Sequence, residues 1–305
     1  RLMSTSSKHD RGRRDSLRLL ATAPLLLAGA TSAQPGKAPA RADGPRVALV
    51  LGSGSARGFS HIGVIKALEA ARIKPDLIVG TSAGALVGAF YAAGFTGAQM
   101  EELAIRVKDI DIVDMGTGAK RGMVMGDTLQ MFVNKATRER PIESLGIPFI
   151  AVATQLRTGE VKTFRSGDRA LAVRASCSVP GVFIPPKIND QDYVDGGLVA
   201  PVPVRIARDA GADFVIAVDV SSGPLNATPV GIYEQVMHSF DIMGRSLAKL
   251  EAEQADVVIR PDTARIASTD FNARAAFIQI GQSTGTRFAP VVQEKLAAWR
   301  APKKR

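Results

Sequence analysis

A serine set between two glycines is the first stretch of the chain that could do chemistry. The sequence Gly-Thr-Ser-Ala-Gly occupies residues 80–84, between the apolar residues 77–79 and the small apolar run 83–93. A serine on a sharp strand-to-helix turn projects its hydroxyl clear of the sheet, and Gly80 and Gly84 avoid the steric clash that side chains would cause. The N-terminus of the following helix favours negative charge there. The pattern predicts that Ser82 is a nucleophile, with a glycine-rich packing turn as the structural alternative.

A second glycine-rich stretch, residues 52–58, follows the apolar run 47–51 and precedes a helical pattern. Successive main-chain N–H groups in such a loop can bind an anion. One interpretation is a nucleotide-binding α/β protein, but the third glycine comes one residue late and Asp76 precedes the second strand instead of following it. The other interpretation is an oxyanion hole for the carbonyl oxygen attacked by Ser82, which brings both glycine loops into one site.

The general base has two candidate sources. Asp195, Gly196 and Gly197 follow the predicted strand 191–194, and a carboxylate on such a turn can approach another main chain closely; a plain hairpin turn is the alternative. His238 is the rival, because the order Ser82, Asp195, His238 is that of a triad in α/β-hydrolases. His238 lies in a helical pattern over 233–240 without a loop signal, so the triad esterase is the secondary hypothesis.

Strand and helix patterns alternate along the chain and must position these groups. Continuous apolar runs predict buried strands over 47–51, 77–79, 147–154 and 214–220, and apolar spacing predicts helices over 62–71 and 83–93. This alternation is typical of an α/β fold with a central, mostly parallel sheet and helices on both faces. The carboxyl ends of neighbouring parallel strands lie at one edge, where such sheets bind ligands.

Composition limits the class of protein. The chain has 305 residues, of which 46% are hydrophobic and 22% charged, as in globular proteins. The single cysteine, Cys177, excludes an intramolecular disulfide, and the three histidines lack metal-ligand spacing, so no metal or other cofactor is expected. The net charge of +10 is concentrated in residues 1–33 and 300–305, whereas nucleic-acid-binding proteins usually spread positive charge over one face. We therefore expect no nucleic-acid partner.

Residues 1–33 are predicted to be an export signal. Basic residues over 11–18 precede the apolar run 19–30, which is too short to cross a bilayer, and small residues over 31–33 offer a cleavage site. Arg13 and Arg14 favour a twin-arginine signal, with a Sec signal or an amphipathic first helix as alternatives. The expected location is the periplasm or the medium, and residues 34–45 are interpreted as a linker.

The motifs together resemble the patatin-like phospholipases. Residues 53–58, 80–84 and 195–197 occur in that family's order and approximate spacing, and His61 and the segment 174–185 also agree with it. The resemblance covers residues 46–222, a predicted catalytic core. Residues 223–300 are interpreted as a largely helical C-terminal part of the same domain, and 301–305 as a basic tail. Trp299 and this tail could contact an anionic membrane surface, with a solvated tail as the alternative.

The resemblance implies a three-layer α/β/α fold and a lipid acyl hydrolase of the phospholipase A or lysophospholipase type. Its substrates would be phospholipids, lysophospholipids or other acyl esters. In the implied dyad Ser82 is the nucleophile and Asp195 the base, with the glycines of both motifs in support. The main-chain amides of an oxyanion hole would come from the consecutive residues Gly54, Ser55, Ala56, Arg57 and Gly58. Ala200 departs from the family, in which asparagine is common at that position.

Overall fold

The structure is a computed structural model that describes residues 44–108, 112–114, 122–221 and 231–299. The predicted export signal over 1–33 and the basic tail over 301–305 lie outside the described residues. So does the predicted linker over 34–45, except for its last two residues. Among the described residues, no helix combines the length and the apolar character needed to cross a membrane.

A mixed sheet of eight strands forms the centre of the described region. In chain order the strands are β1 (Val47–Leu51), β2 (Leu77–Thr81), β3 (Phe149–Gln155), β4 (Val161–Phe164), β5 (Lys187–Ile188), β6 (Gln191–Asp195), β7 (Phe214–Val218) and β8 (Val257–Ile259). The sheet order is β5-β6-β3-β2-β1-β7-β8, with β4 also paired to β3. Five of the strands, β8, β7, β1, β2 and β3, run parallel, and β4, β5 and β6 pair antiparallel.

The parallel strands form where the sequence has continuous apolar runs. All five residues of β1, β2 and β7 are buried, as expected for strands covered on both faces. In the parallel register Leu51 pairs with Gly80 and with Val218, so the ends of β1, β2 and β7 reach the same edge of the sheet. The two glycine-rich loops therefore begin side by side at that edge.

Helices cover both faces of the sheet. They are α1 (Phe59–Ala70), α2 (Ala83–Ala92), α3 (Gly97–Arg106), α4 (Asp127–Thr137), α5 (Arg169–Ser176), α6 (Val204–Asp209), α7 (Ile232–Ala252) and α8 (Arg274–Ala298). Leu49 and Leu51 belong to the core cluster that contains residues of α1–α5 and α8, whereas Ala48 and Val50 belong to the cluster with α6 and α7. Alternate side chains of one strand thus fill two cores, and the predicted three-layer α/β/α class is confirmed.

Short strands are the main difference from the sequence-based expectation. No apolar pattern predicted β4, β5 or β8, which have four, two and three residues. The region 223–300, expected to be largely helical, contributes α7, α8 and also β8, which pairs with β7 at one edge of the sheet.

The long helix α8 packs against α1 at very short distance. A Cβ atom built on Gly281 of α8 would lie 2.0 Å from the carbonyl oxygen of Ser60, and one built on Gly63 of α1 would lie 1.9 Å from the carbonyl oxygen of Ile278. Real Cβ atoms do not approach a main-chain oxygen so closely, so only glycine fits this crossing. Since α1 begins directly after the second glycine loop, this contact ties the C-terminal region to the elements that carry the site.

Replacing Gly281 tests this contact. We expect Gly281→Ala to lower the free energy of unfolding by about 1–3 kcal/mol, because the added methyl forces the two helices apart. Gly244→Ala is the matched control, since Gly244 is also inside a helix and a Cβ there meets nothing within 4 Å. The control should be neutral or stabilise by up to about 1 kcal/mol. Urea unfolding of both variants measures this, and equal effects would contradict the described packing.

Candidate active site

Ser82 lies on a strained turn between β2 and α2. It is the N-cap of α2 and has φ 55° and ψ −124°, a conformation that non-glycine residues rarely adopt. A Cβ atom on Gly80 would lie 2.4 Å from the Gly84 carbonyl oxygen, and one on Gly84 would lie 2.1 Å from the Leu51 carbonyl oxygen. The steric reason for both glycines is therefore the predicted one, and the turn aims the hydroxyl of Ser82 away from the sheet.

Asp195 is in direct contact with this hydroxyl. The Ser82 Oγ donates to Asp195 Oδ2 at 2.6 Å, although the two residues are 113 positions apart. The amide of Gly197 donates to the other carboxylate oxygen, Oδ1, at 2.7 Å. Asp195 is the last residue of β6, and a short 3-10 helix over Gly196–Leu198 follows it. The alternative of a plain hairpin turn at this position is therefore wrong.

Burial sets the electrostatics of the pair. Ser82 is 7% exposed and Asp195 is 6% exposed. Removal from water raises the pKa of Asp195 to about 6, because the charged form loses its hydration, and the hydrogen bonds from Ser82 and Gly197 oppose this rise only in part. The carboxylate is therefore still ionised at neutral pH, but it is a stronger base than an exposed aspartate.

Neither histidine of the described region takes the place of this carboxylate. Because Ser82 bonds directly to Asp195, the predicted Ser82–His238–Asp195 triad, which needs an imidazole between them, is wrong; His238 lies in α7. His61 is fully buried, and its Nε2 is 2.8 Å from the carbonyl oxygen of Gly52. Burial lowers the pKa of His61 to about 4, so the neutral ring donates to that carbonyl and supports the glycine loop.

Main-chain hydrogen bonds fix the glycine loop and decide which of its amides are free. Gly52 N donates to the Val218 carbonyl at 3.0 Å, and Ser53 N donates to the Pro201 carbonyl at 2.8 Å. A Cβ on Gly58 would lie 2.4 Å from Cβ of Ala83, so the end of this loop touches the residue after Ser82. The two glycine loops therefore lie in direct contact.

The predicted set of five oxyanion amides is narrowed. The amide of Ala56 donates to the Ser268 carbonyl at 2.9 Å, and that of Arg57 donates to the Gly54 carbonyl at 3.1 Å, so neither can bind an oxyanion. Gly58 is the last residue of the 3-10 helix that begins at Ser55, so its amide belongs to the hydrogen bonding of that helix and is not a free donor. Within the described part of the chain, the amides of Gly54 and Ser55 bond to no acceptor. Ser55 has φ 52° and is exposed, so these two amides are the available donors.

Three hydroxyl groups that sequence reasoning missed hold the pair in place. Ser176 Oγ accepts from the amide of Ser82 at 2.8 Å and donates to the Val152 carbonyl at 2.5 Å. Thr154 donates to the Asp195 carbonyl at 2.9 Å, and Thr81 donates to the Ala200 carbonyl at 2.8 Å. The sequence signal that could have found these residues is a Ser or Thr at a buried position of a strand or helix, because a buried hydroxyl group needs a hydrogen-bond partner inside the protein.

Among the residues that the structure describes, no group of three or more His, Cys, Asp or Glu side chains is arranged to hold a metal ion. Cys177 is buried, and its burial raises the pKa of the thiol, with the charge of Asp195 acting in the same direction. The buried Cys177 therefore packs in the core as a neutral thiol.

Comparison with known proteins gives the relatives of this chain. A sequence model of the family described as "Patatin-like phospholipase" matches residues 49–208. The mouse protein named patatin-like phospholipase domain-containing protein 6 is 34% identical over 234 residues, which cover 74% of this chain and 17% of that protein. An uncharacterized NTE family protein of Mycobacterium bovis is 37% identical over 183 residues, which cover 58% of this chain and 49% of that protein.

Solved structures support the fold alone. The crystal structure of VipD from Legionella pneumophila superimposes with a TM-score of 0.54 at 14% identity and covers 83% of this chain and 68% of VipD. The chain spans about a sixth of the mouse relative and about half of the mycobacterial one. Because the family match covers more than half of the sequence and contains both members of the hydrogen-bonded pair, this chain belongs to the patatin-like phospholipase family.

Proposed function

We propose that this chain is a serine hydrolase that cleaves carboxylic ester bonds of lipids. The observation that carries the proposal is the buried hydrogen bond of 2.6 Å between the Ser82 hydroxyl and the Asp195 carboxylate. A nucleophile bonded to its base beside free main-chain amides is the arrangement that acyl transfer requires. The nucleotide-binding alternative loses its main support, because four amides of its supposed phosphate loop, those of Gly52, Ser53, Ala56 and Arg57, are bonded to main-chain carbonyls.

The reaction would proceed through an acyl-enzyme. Ser82 Oγ attacks the carbonyl carbon of the ester while its proton passes to Asp195 Oδ2. The amides of Gly54 and Ser55 stabilise the resulting oxyanion, and the N-terminus of α2 adds a favourable field. Asp195 then returns the proton to the leaving alcohol oxygen. A water molecule attacks the acyl group by the same path, giving its proton to Asp195, and the fatty acid leaves as Ser82 regains its proton.

The weak basicity of an aspartate is the difficulty of such a dyad, and burial reduces it. A base works best when its pKa lies near the working pH, and the pKa of Asp195 is raised to about 6 by loss of hydration. An acyl chain bound over the site would exclude more water and raise the basicity of this carboxylate further. The oxyanion donors supply the rest of the stabilisation.

A phospholipid or lysophospholipid is the substrate class that we propose. Its support is membership of the patatin-like phospholipase family, together with a relative named a patatin-like phospholipase domain-containing protein.

Removing the nucleophile is the first test. Ser82→Ala should lower the turnover of a medium-chain p-nitrophenyl ester by at least about 1,000-fold, because no other group can form the acyl-enzyme. A fluorescent fluorophosphonate should label the wild-type chain on Ser82, as found by mass spectrometry of the modified peptide. His238→Ala is the control and should retain activity within about threefold, since the residue makes no bond to the dyad. Undiminished turnover by Ser82→Ala would refute the proposal.

The dependence of activity on pH tests the base. We expect kcat/KM to rise with pH through an apparent pKa of about 6, because only the ionised Asp195 can accept the serine proton. The acidic limb of this pH profile should follow the titration of a single group. Steady-state assays over a pH series measure it. A limb centred near the value of an exposed aspartate, about 4, would mean that burial does not tune this group.

The same burial predicts a change in stability. The folded state keeps the Asp195 proton up to about pH 6, whereas the unfolded chain releases it near pH 3.8, so charging this buried group lowers wild-type stability as pH rises between these values. The Asp195→Asn variant does not lose stability in this way, because an asparagine side chain does not ionise. Its free energy of unfolding relative to wild type should increase by about 1 kcal/mol from about pH 5 to about pH 8.

Urea unfolding at both pH values measures this difference. Asp209→Asn is the control, because that carboxylate is 62% exposed at the surface and its replacement should have a small effect at either pH. A relative stability of Asp195→Asn that stays constant or falls with rising pH would contradict the described burial.

A further inference from the structure

Residues 199–203 accept hydrogen bonds from both glycine loops, and we name them the bridging segment. Its Ala200 carbonyl accepts from the Thr81 hydroxyl at 2.8 Å, and its Pro201 carbonyl accepts from the amide of Ser53 at 2.8 Å. Thr81 directly precedes the nucleophile, and Ser53 directly precedes the first free oxyanion amide. The bridging segment therefore sets the position of the nucleophile relative to the oxyanion donors.

The amides of Val199 and Ala200 tie the start of the bridging segment to the Gly196 carbonyl, at 3.2 and 2.9 Å. Pro201 and Pro203 have no amide hydrogen, so Val202 carries the one N–H group between them. That amide donates to Oε2 of Glu251 at 3.0 Å, across 49 residues of chain. Val202 is 1% exposed, so without Glu251 its amide would be buried and unsatisfied, which disfavours the present conformation of the segment.

Glu251 is unusual for a residue with a merely structural role. It lies in the last turn of α7, partly buried, and burial raises its pKa to about 7, while the bond from Val202 and the charge of Arg205 oppose the rise. Within the described part of the chain, no cation lies within ion-pair distance of its carboxylate. Keeping a carboxylate at this partly buried position costs stability. Groups that carry such a cost are typically found where they serve a functional site.

We propose that Glu251 is a positioning residue of the active site. It accepts from the Val202 amide and so fixes the bridging segment, whose two carbonyls hold Thr81 and Ser53. Glu251 never touches the substrate; it keeps the Ser82 hydroxyl and the amides of Gly54 and Ser55 in register. It lies outside the residues that match the family model, in the C-terminal region. This inference rests on the proposed function, because it needs an acyl-transfer reaction to position.

Three variants of Glu251 in the full chain separate the hydrogen bond from charge. Glu251→Gln keeps an acceptor oxygen at the same reach, Glu251→Asp keeps the charge but is one methylene too short, and Glu251→Ala removes both. We expect kcat to fall by at least about tenfold in the Asp and Ala variants, and to stay within about threefold of wild type in the Gln variant. KM should change by less than about threefold in all of them, because the ester does not contact Glu251.

Two controls separate an effect on catalysis from an effect on folding. Fluorophosphonate titration gives the number of active sites, so that kcat refers to folded protein even where a variant folds poorly. Glu253→Ala is the matched control, because this exposed glutamate lies two residues further along, just after the end of α7. It should behave as wild type. A role limited to stability would lower the melting temperature of the Asp and Ala variants but leave their kcat per active site unchanged, and that outcome overturns the proposal.

The two proposals can fail separately. If Ser82→Ala retains turnover, the proposed function is wrong and so is any positioning role that serves it. If Ser82→Ala is inactive while Glu251→Asp and Glu251→Ala keep wild-type kcat, only the role of Glu251 is wrong. If Glu251→Gln loses as much kcat as Glu251→Ala, the charge and not the bond to Val202 matters, and the positioning account is again contradicted.

Discussion

The hydrogen bond between Ser82 and Asp195 is the interaction on which the rest of the site depends. It joins two residues 113 positions apart and is almost completely removed from water. Burial has opposite effects on folding and on chemistry, because the same loss of hydration that makes an ionised Asp195 unfavourable also makes it a stronger base. A group held at such a cost needs surrounding structure that leaves it no other position. Main-chain and hydroxyl donors around both residues supply this constraint.

That surrounding structure consists largely of main-chain hydrogen bonds and contacts to glycine. The amides of Gly52, Ser53 and Ala56 bond to carbonyls from three separate parts of the chain, and His61 holds the Gly52 carbonyl. Two of those carbonyls, from Val218 and Ser268, belong to residues beyond the family match at 49–208. The C-terminal region is therefore part of the scaffold of the glycine loop over 52–58, for which we propose the oxyanion role. Donors fixed in this way need little rearrangement when charge develops, which is the basis of electrostatic catalysis.

Local patterns in the sequence predicted the elements that carry the site. Continuous apolar runs predicted β1, β2, β3 and β7 within a few residues. The glycines around Ser82 predicted the sharp strand-to-helix turn that carries it, because their constraint is steric and local. Long-range contacts were beyond such patterns. The bonds from Ser82 N to Ser176 and from Val202 N to Glu251 span 94 and 49 residues, and no local spacing encodes them. The three strands of two to four residues were missed because so few residues cannot show a recognisable pattern of alternating or continuous apolar side chains.

The proposed oxyanion donors also show what local patterns in the sequence cannot predict. The loop sequence indicates that amides are available over 54–58, but only the fold shows that Ser268 engages Ala56 and that Gly54 engages Arg57. In the same way the chain order Ser82, Asp195, His238 permits a triad, and the direct contact between serine and aspartate excludes it. Residue types predict which chemistry is available, whereas hydrogen-bond partners decide which groups remain free to perform it.

A direct titration of the Asp195 carboxyl group by carbon-13 NMR, assigned by its absence in Asp195→Asn, tests the central claim. The account predicts an apparent pKa of about 6 for the wild-type chain. It predicts a higher value in Ser82→Ala, because that variant lacks the hydrogen bond that stabilises the charged form. A pKa near the ordinary aspartate value of about 4 in both proteins would show that the carboxylate is neither buried nor bonded to Ser82 in solution, and would contradict the account.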